Sequence, residues 1–528
     1  MSNPEDPRER FKRPLERPNL NLPPRRKEPA EAPAQEAGLP AITPQQPQQQ
    51  APAATHGLAR LLEAVAKMLQ PKPQPDPKQQ TPQPPATPTE APLFTVLVAA
   101  MNGDSADGAA SQALYKLLEG KTSLKVKPFP RPFQLDVMDD PALTAAVVTN
   151  TRHTVAAENA DVLVWGDITK DGYRLRLSTA SMPDEDRPTT FGPACRLEFP
   201  AKLEEPQLHL LYGAILAAIE PANQVQRAGQ RRLLPLAAPP LEAIAAKVPV
   251  AWSMPQQRTA QLVQGHACAA CALVVPPSQA GEWFQRAANA YRAAEKRLNA
   301  RTDPPWEAGL IHKYLAAVLT ARAERLKERA AEYLEEAVKE WRAAAESVGK
   351  TTMPQEWAGL QMRLGTALYR LDLLTGDTEL LREALQALQA ALQVHTRAEA
   401  PQRWAEVMHI IAQVLEVYGD QLKSPEVLKR AVDACQSVLE VRSRDRTPLA
   451  WAATRNTLGS ALFLLDRHGG GVNHLLQAME VLEEALEVFT THGAKGPAQV
   501  AARNLGHVRK LAEDRKARQV IDPDWAGR

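Results

Sequence analysis

The sequence predicts a multidomain chain of α/β plus all-α class: a disordered Pro/Gln-rich N-terminal tail, a small α/β sheet domain and a C-terminal α-solenoid. Three observations predict it. Residues 1–92 hold 21 of the 46 prolines, with Gln-rich runs such as Gln45–Gln50. Residues 93–220 alternate short apolar runs with helical patterns. From residue 254 onward the chain reads as helix pairs, which from Pro354 repeat every 47 residues, and a fixed step of that size means stacked structural units.

The length of 528 residues exceeds what one core serves. The formal net charge of +2 gives no reason to expect nucleic acid or a membrane surface as partner. Four scattered cysteines are too few for a disulfide framework. The first residues carry charge and proline without the apolar stretch of a secretory signal, and no run reaches bilayer length. The expectation is a cytoplasmic protein.

In the tail, apolar residues are too sparse to offset the entropy of ordering. One island interrupts it at 57–70. Leu58, Leu61, Leu62, Val65, Met68 and Leu69 share one face of a short amphipathic helix. It reads either as a docking helix or as a transient helix with no role.

The sheet domain follows in order. Phe94–Ala100 and Asp161–Gly166 read as buried strands, and Leu124–Phe129 alternates as a strand. Helical patterns separate them around Ala113–Leu118 and from Pro141 to Ala157. Asp171-Gly172 turns into Tyr173–Leu177, an antiparallel partner for the preceding strand. Arg196–Phe199 makes an edge strand, and Leu208–Ile219 is helical. The sheet is therefore parallel at first, with an antiparallel edge. Residues 221–253, rich in Pro and Ala, are assigned as a linker or the start of the solenoid.

The solenoid spans 254–518, with 519–528 as a short tail. A first helix pair occupies about 255–275 and 279–299. Pro354, Pro401 and Pro448 are each followed three residues later by tryptophan: Trp357, Trp404 and Trp451. Gly365, Ala412 and Gly459 keep the step, as do Leu368, Leu415 and Leu462, and then Leu388, Cys435 and Leu482. Trp306 lies 51 before Trp357, so its unit carries four extra residues in its first helix or turn. Its second helix obeys the step, with Ala337, Trp341 and Ala344 lying 47 before Ala384, Leu388 and Ala391. The tryptophans, being shared by every unit, are expected in the packing layer. The last helix, from Pro497, ends in Arg509, Lys510, Glu513 and Asp514 and reads as the wetted cap.

Within a unit, Asn456-Thr-Leu-Gly-Ser-Ala-Leu462 followed by Ala478-x3-Leu482-x2-Ala485 resembles the tetratricopeptide repeat. The period of 47 departs from that family's length of about 34, and Tyr314 stands where Gly365 stands a unit later. The resemblance implies a groove lined by the first helices. Its inner-face positions fall on Met362, Thr366, Tyr369, Arg370, His409, Gln413, Glu416, Asn456, Ser460 and Phe463. That mixture suits a protein partner presenting a peptide or helix. The sheet domain, with its Ala-Asp-Val-Leu-Val-Trp-Gly-Asp run, is similar to the amino-terminal α/β domain of TolB and its relatives, which are often fused to tetratricopeptide arrays in bacteria.

Catalytic signals are absent. The sequence contains no Gly-x4-Gly-Lys-Ser/Thr, Gly-x-Gly-x2-Gly, Gly-x-Ser-x-Gly or His-Glu-x2-His. Polar loops at the carboxyl ends of the strands supply Asn102, Asp104, Asp136 and Asp167 as a candidate ligand site. The same residue types are ordinary loop and cap residues. Cys268-x2-Cys271 is half a zinc pattern, and on its alanine-rich helix it reads as small buried residues. No catalytic residue, metal or cofactor is assigned. The expected function is a non-enzymatic scaffold; the alternative is a ligand- or nucleotide-sensing regulator acting through the α/β domain.

Overall fold

The computed structural model describes residues 92–135, 141–181, 187–469 and 472–521. The expected tail with its helix at 57–70, Asp136 and residues 522–528 lie outside them. Five strands form one sheet: β1 (Phe94–Ala99), β2 (Leu124–Phe129), β3 (Val162–Thr169), β4 (Gly172–Ser178) and β5 (Leu197–Phe199). Their order is β2-β1-β3-β4-β5. β1 pairs parallel with β2 and β3, while β3–β4 and β4–β5 pair antiparallel. The parallel start and antiparallel edge are those the apolar pattern implies.

Successive residues of β1 point to opposite faces, and nearly all are buried because helices cover both. On one face Leu97, Ala99, Leu163 and Trp165 pack with Phe133, Leu135 and with Val155 of α2 (Pro141–Ala157). On the other lie α1 (Ala109–Glu119) and α3 (Glu205–Ala218). α3 is buried nearly all round, from Leu210 to Ile219. It packs against the sheet, α4 (Gln224–Ala246) and α5 (Met254–Val274), so sheet and helices share a core.

Residues 221–253 are not a linker. Most of them form α4, which buries Leu234, Ala238, Leu241 and Ala245. Pro235, Pro239 and Pro240 lie inside this helix. Each proline removes an N–H from the helical ladder, which is why the sequence reads as a break. Burial of the Leu/Ala face outweighs that loss.

The helix pairs are α5 with α6 (Pro277–Glu295), α7 (Pro305–Leu326) with α8 (Ala330–Val348), α9 (Pro354–Thr375) with α10 (Thr378–Leu392), α11 (Pro401–Gln421) with α12 (Pro425–Leu439), and α13 (Pro448–Gly469) with α14 (Val472–Thr491). α15 (Lys495–Ile521) follows. Pro305, Pro354, Pro401 and Pro448 each occupy the first helical position, where the missing N–H costs nothing. The extra residues of the Trp306 unit accompany a turn in which Lys327 and Arg329 take positive φ of 58° and 57°.

The recurring small residue has a visible cause. A Cβ on Gly365 would lie 2.6 Å from Cγ of Leu388, and one on Gly459 would lie 2.5 Å from Cγ of Leu482. The two helices of a unit approach too closely there for any side chain. In the middle unit the same register holds Ala412 and Cys435, both fully buried, so a larger small residue faces a smaller large one. The next position in the series is Gly506 of α15, where nothing among the described residues lies within 4 Å.

Trp357, Trp404 and Trp451 are half-buried rather than enclosed. Lys350, Arg397 and Arg444 lie over their rings at 5.7, 5.2 and 5.9 Å. The same cations donate to Gln393, Glu440 and Glu487 at 2.8, 2.6 and 2.7 Å. Each tryptophan therefore lies half-buried beneath a cation at the turn between units, and Arg455 adds a second cation at 5.4 Å from the Trp451 ring.

Candidate functional site on the first helices and at the sheet junction

The ten inner-face residues sit on α9, α11 and α13, where neighbouring first helices meet. Met362, Ser460 and Phe463 are buried, at 9%, 3% and 8% exposure. Thr366, Tyr369, Arg370, His409, Gln413, Glu416 and Asn456 are half-buried. The expected open groove is thus narrowed, and it is closed over the middle of α13, where residues 457–466 are buried throughout. The residue pattern gives the face of each helix but not how closely successive units wind.

Contacts between successive first helices explain the narrowing. Arg370 pairs with Glu324 of α7. Gln421 Nε2 donates to Asp372 at 3.1 Å, and His468 Nε2 to Asp420 at 2.7 Å. Asp466, whose side chain is fully enclosed, pairs with Arg515 of α15 at 2.6 Å. Asn504 Nδ2 donates to Asn456 Oδ1 at 3.2 Å. α15 therefore takes the place of one more first helix, held by the same seam.

Burial governs the electrostatics of this face. It pushes the Glu416 carboxyl up to about 8, against the hydrogen bond from Ser460 and with help from Asp420. It pulls His409 down to about 3, reinforced by Arg442. Asp372 and Tyr369 are raised by the same cause.

The candidate ligand residues of the sheet domain are engaged with each other. Asn102 Nδ2 donates to Asp167 Oδ1 at 3.2 Å, and Arg176 Nη1 donates to Asp167 Oδ2 at 3.1 Å. Asp104 stands apart from that pair. It accepts N–H groups from Ala110 and Ser111 at the start of α1, at 3.1 and 2.8 Å, and the Ser111 hydroxyl at 2.6 Å. Burial opposes its ionisation, but the Ser111, Ala110 and Ser105 donors hold its carboxyl below the usual range. It serves as a helix cap. Among the described residues, no group of His, Cys, Asp and Glu is arranged to hold a metal ion.

Sequence reasoning missed a polar cleft of about 240 Å³ between the sheet's last strands and the first helix pairs. Arg196 and Arg258 both pair with Glu307. Arg258 Nη1 also donates to Asp303 at 2.9 Å, and Arg174 Nε to Glu198 at 2.7 Å. The Glu198 N–H donates to Thr259 Oγ1 at 2.8 Å. Arg196 lies 4.6 Å over Trp306, taking the part that Lys350, Arg397 and Arg444 take in later units. Each arginine here has a carboxylate partner, so the cleft fastens strand β5 to the helices.

Behind it, Tyr314, which stands at the glycine's register, reaches back to the preceding pair. Its ring lies 4.6 Å from that of His266, and the Tyr291 hydroxyl is 2.9 Å from His266 Nδ1. Phe191 completes the stack at 4.2 Å. Burial pulls His266 down to about 3 and pushes the Cys195 thiol up to about 11. Cys268 is pushed up to about 12 by the same cause, so it stays a thiol at neutral pH. The one signal in the sequence was the misfit of Tyr314 against the glycine register.

No family profile and no curated protein matches the chain. Similar solved structures include BtubC (BKLC) from P. vanneervenii, 15% identical, covering 51% of this chain and 92% of that one, with a TM-score of 0.35. A circular tandem repeat protein with a novel repeat topology is 15% identical over 60% of this chain and 86% of that one, with a TM-score of 0.27. A designed self-assembling cyclic homooligomer is 12% identical over 58% and 99%, with a TM-score of 0.14. Likeness at these levels carries no argument about this chain.

Proposed function

We propose that the protein is a non-enzymatic interaction scaffold. Its tetratricopeptide-like helices hold a peptide or helix of a protein partner, and the TolB-like sheet domain is fastened at their start. The observation behind this reading is the contrast between register positions. Packing positions repeat from unit to unit, whereas 366/413/460 hold Thr, Gln and Ser, and 369/416/463 hold Tyr, Glu and Phe. A surface that stacking alone shaped would repeat as the core does; one shaped by a ligand need not. Thr366, Tyr369, Arg370, His409, Gln413, Glu416 and Asn456 are the half-open members and make the contact. Met362, Ser460 and Phe463 hold the helices in place.

The test is capture of partners from the native cell by the full chain and by a Tyr369→Ala/Arg370→Glu variant. The Arg370–Glu324 pair is exposed on both sides, 42% and 52%, so its loss costs the fold at most about 1 kcal/mol. A partner retained by the native chain and lost by the variant supports the groove. Identical capture by both removes these residues from the account.

A further inference from the structure

α4 presents an apolar stripe to solvent. Val225 and Leu236 are each 68% exposed. Ala243, also exposed, lies with them within about 20° around the helix at 100° per residue. The opposite face, at Leu234, Ala238, Leu241 and Ala245, is the one buried against α3 and α5. Between Pro221 and Leu241 the sequence contains no acidic residue, and exposed Arg232 shares the stripe. A helix apolar on both sides is unusual in water, and an exposed apolar face marks a docking surface.

The chain itself arrives beside this face. Leu93 packs on Gly229, where a Cβ would lie 2.6 Å from Leu93 Cδ1. Gln226 Nε2 donates to the Leu93 carbonyl at 3.4 Å. Gly229 is about 40° around the helix from Val225. Everything N-terminal to Leu93 is therefore tethered at the rim of the stripe.

We propose that the segment Leu58–Leu69 of the same chain docks on the Val225–Leu236 face of α4. Leu58, Leu61, Leu62, Val65, Met68 and Leu69 recur at helical spacing, an apolar face to match the apolar stripe. Eleven residue steps from Leu58 to Leu69 span about 17 Å as a helix, the same span as Val225 to Leu236. The Pro-rich stretch 70–92 reaches about 70 Å at ~3 Å per residue, twice the ~35 Å length of α4. A short tether gives the segment a high effective concentration at this face, so a modest apolar contact suffices.

Trypsin reads the proposal in the intact protein. Arg60 and Lys67 lie in the segment, and Lys78 lies in the tether as an internal control. Each cleavage rate is normalised to the same site in a synthetic peptide of residues 52–82. In the native chain Arg60 and Lys67 are expected to be cut at least about tenfold more slowly than Lys78, since cleavage tracks the undocked fraction. Leu236→Asp, on the solvent face, should raise both to the Lys78 rate with the melting temperature unchanged. Equal cleavage at all three sites in the native chain overturns the proposal, as does protection that survives Leu236→Asp. Protection lost on dilution shows docking between copies and overturns it too.

Discussion

Gly459 and Leu482 fit as a lock, since any Cβ on Gly459 would stand 2.5 Å from Cγ of the leucine. Gly459→Ala should therefore overpack the α13–α14 contact and cost about 1–3 kcal/mol. Ala412 with Cys435 shows how the same contact admits a methyl group. Adding Leu482→Cys to Gly459→Ala should give a loss smaller than the sum of the two single losses. Denaturant titration measures all three variants, and strict additivity would contradict the compensation.

Asp466 is fully enclosed and Arg515 is its cation at 2.6 Å. Arg515→Met should cost about 3 kcal/mol, because a buried carboxylate is left without a partner. Asp466→Asn combined with Arg515→Met should recover most of it. Hydrogen exchange along α15 would show the single variant loosening the helix end and the double variant restoring it.

Glu416 gives a pH dependence of definite sign. Its folded value of about 8 lies above the ordinary 4.5, so between those values the folded state keeps a proton the unfolded chain has released. Stability therefore falls as pH rises through that window. Glu416→Gln should match the native chain near pH 4 and exceed it above pH 8, by on the order of 1 kcal/mol. Thermal melts across pH check this, and a constant difference would refute it.

His312 has the same sense, from a partner carboxylate rather than from burial. Glu340, hydrogen-bonded to its Nδ1 at 2.7 Å, raises it above the ordinary value despite partial burial, and Glu295 adds to the effect. A raised imidazole stabilises fully below the unfolded value and loses that contribution as pH rises through the folded value. His312→Gln should thus be more damaging at pH 5.5 than at pH 9, by less than about 1 kcal/mol.

How much of this was legible follows from what each feature depends on. Strand alternation in Leu124–Phe129 and the 47-residue step are local periodicities, and the strands and helix pairs follow from them. The sequence of α4 reads as a break because its three prolines outweigh, at the level of propensity, a Leu/Ala face that only tertiary burial rewards. The tryptophans were placed too deep because the cations above them lie in the turns, outside the helical pattern. Closure over Ser460 and Phe463 depends on the pitch between units, and a repeat's period does not encode pitch. The junction at Arg196, Arg258 and Glu307 joins residues up to 111 apart, beyond any local spacing rule. Asp104 and Asp167 looked like ligand residues because caps and ion pairs use the same side chains.

The scaffold reading is tested most directly by photo-crosslinking in the native cell. A photoreactive phenylalanine is placed in the full chain at Thr366 or Gln413 on the half-open inner face, and in a separate chain at exposed Lys339 of α8. The account predicts one and the same partner protein joined at Thr366 and Gln413, and none at Lys339. Adducts of equal yield from all three positions, or none from Thr366 and Gln413, would contradict it.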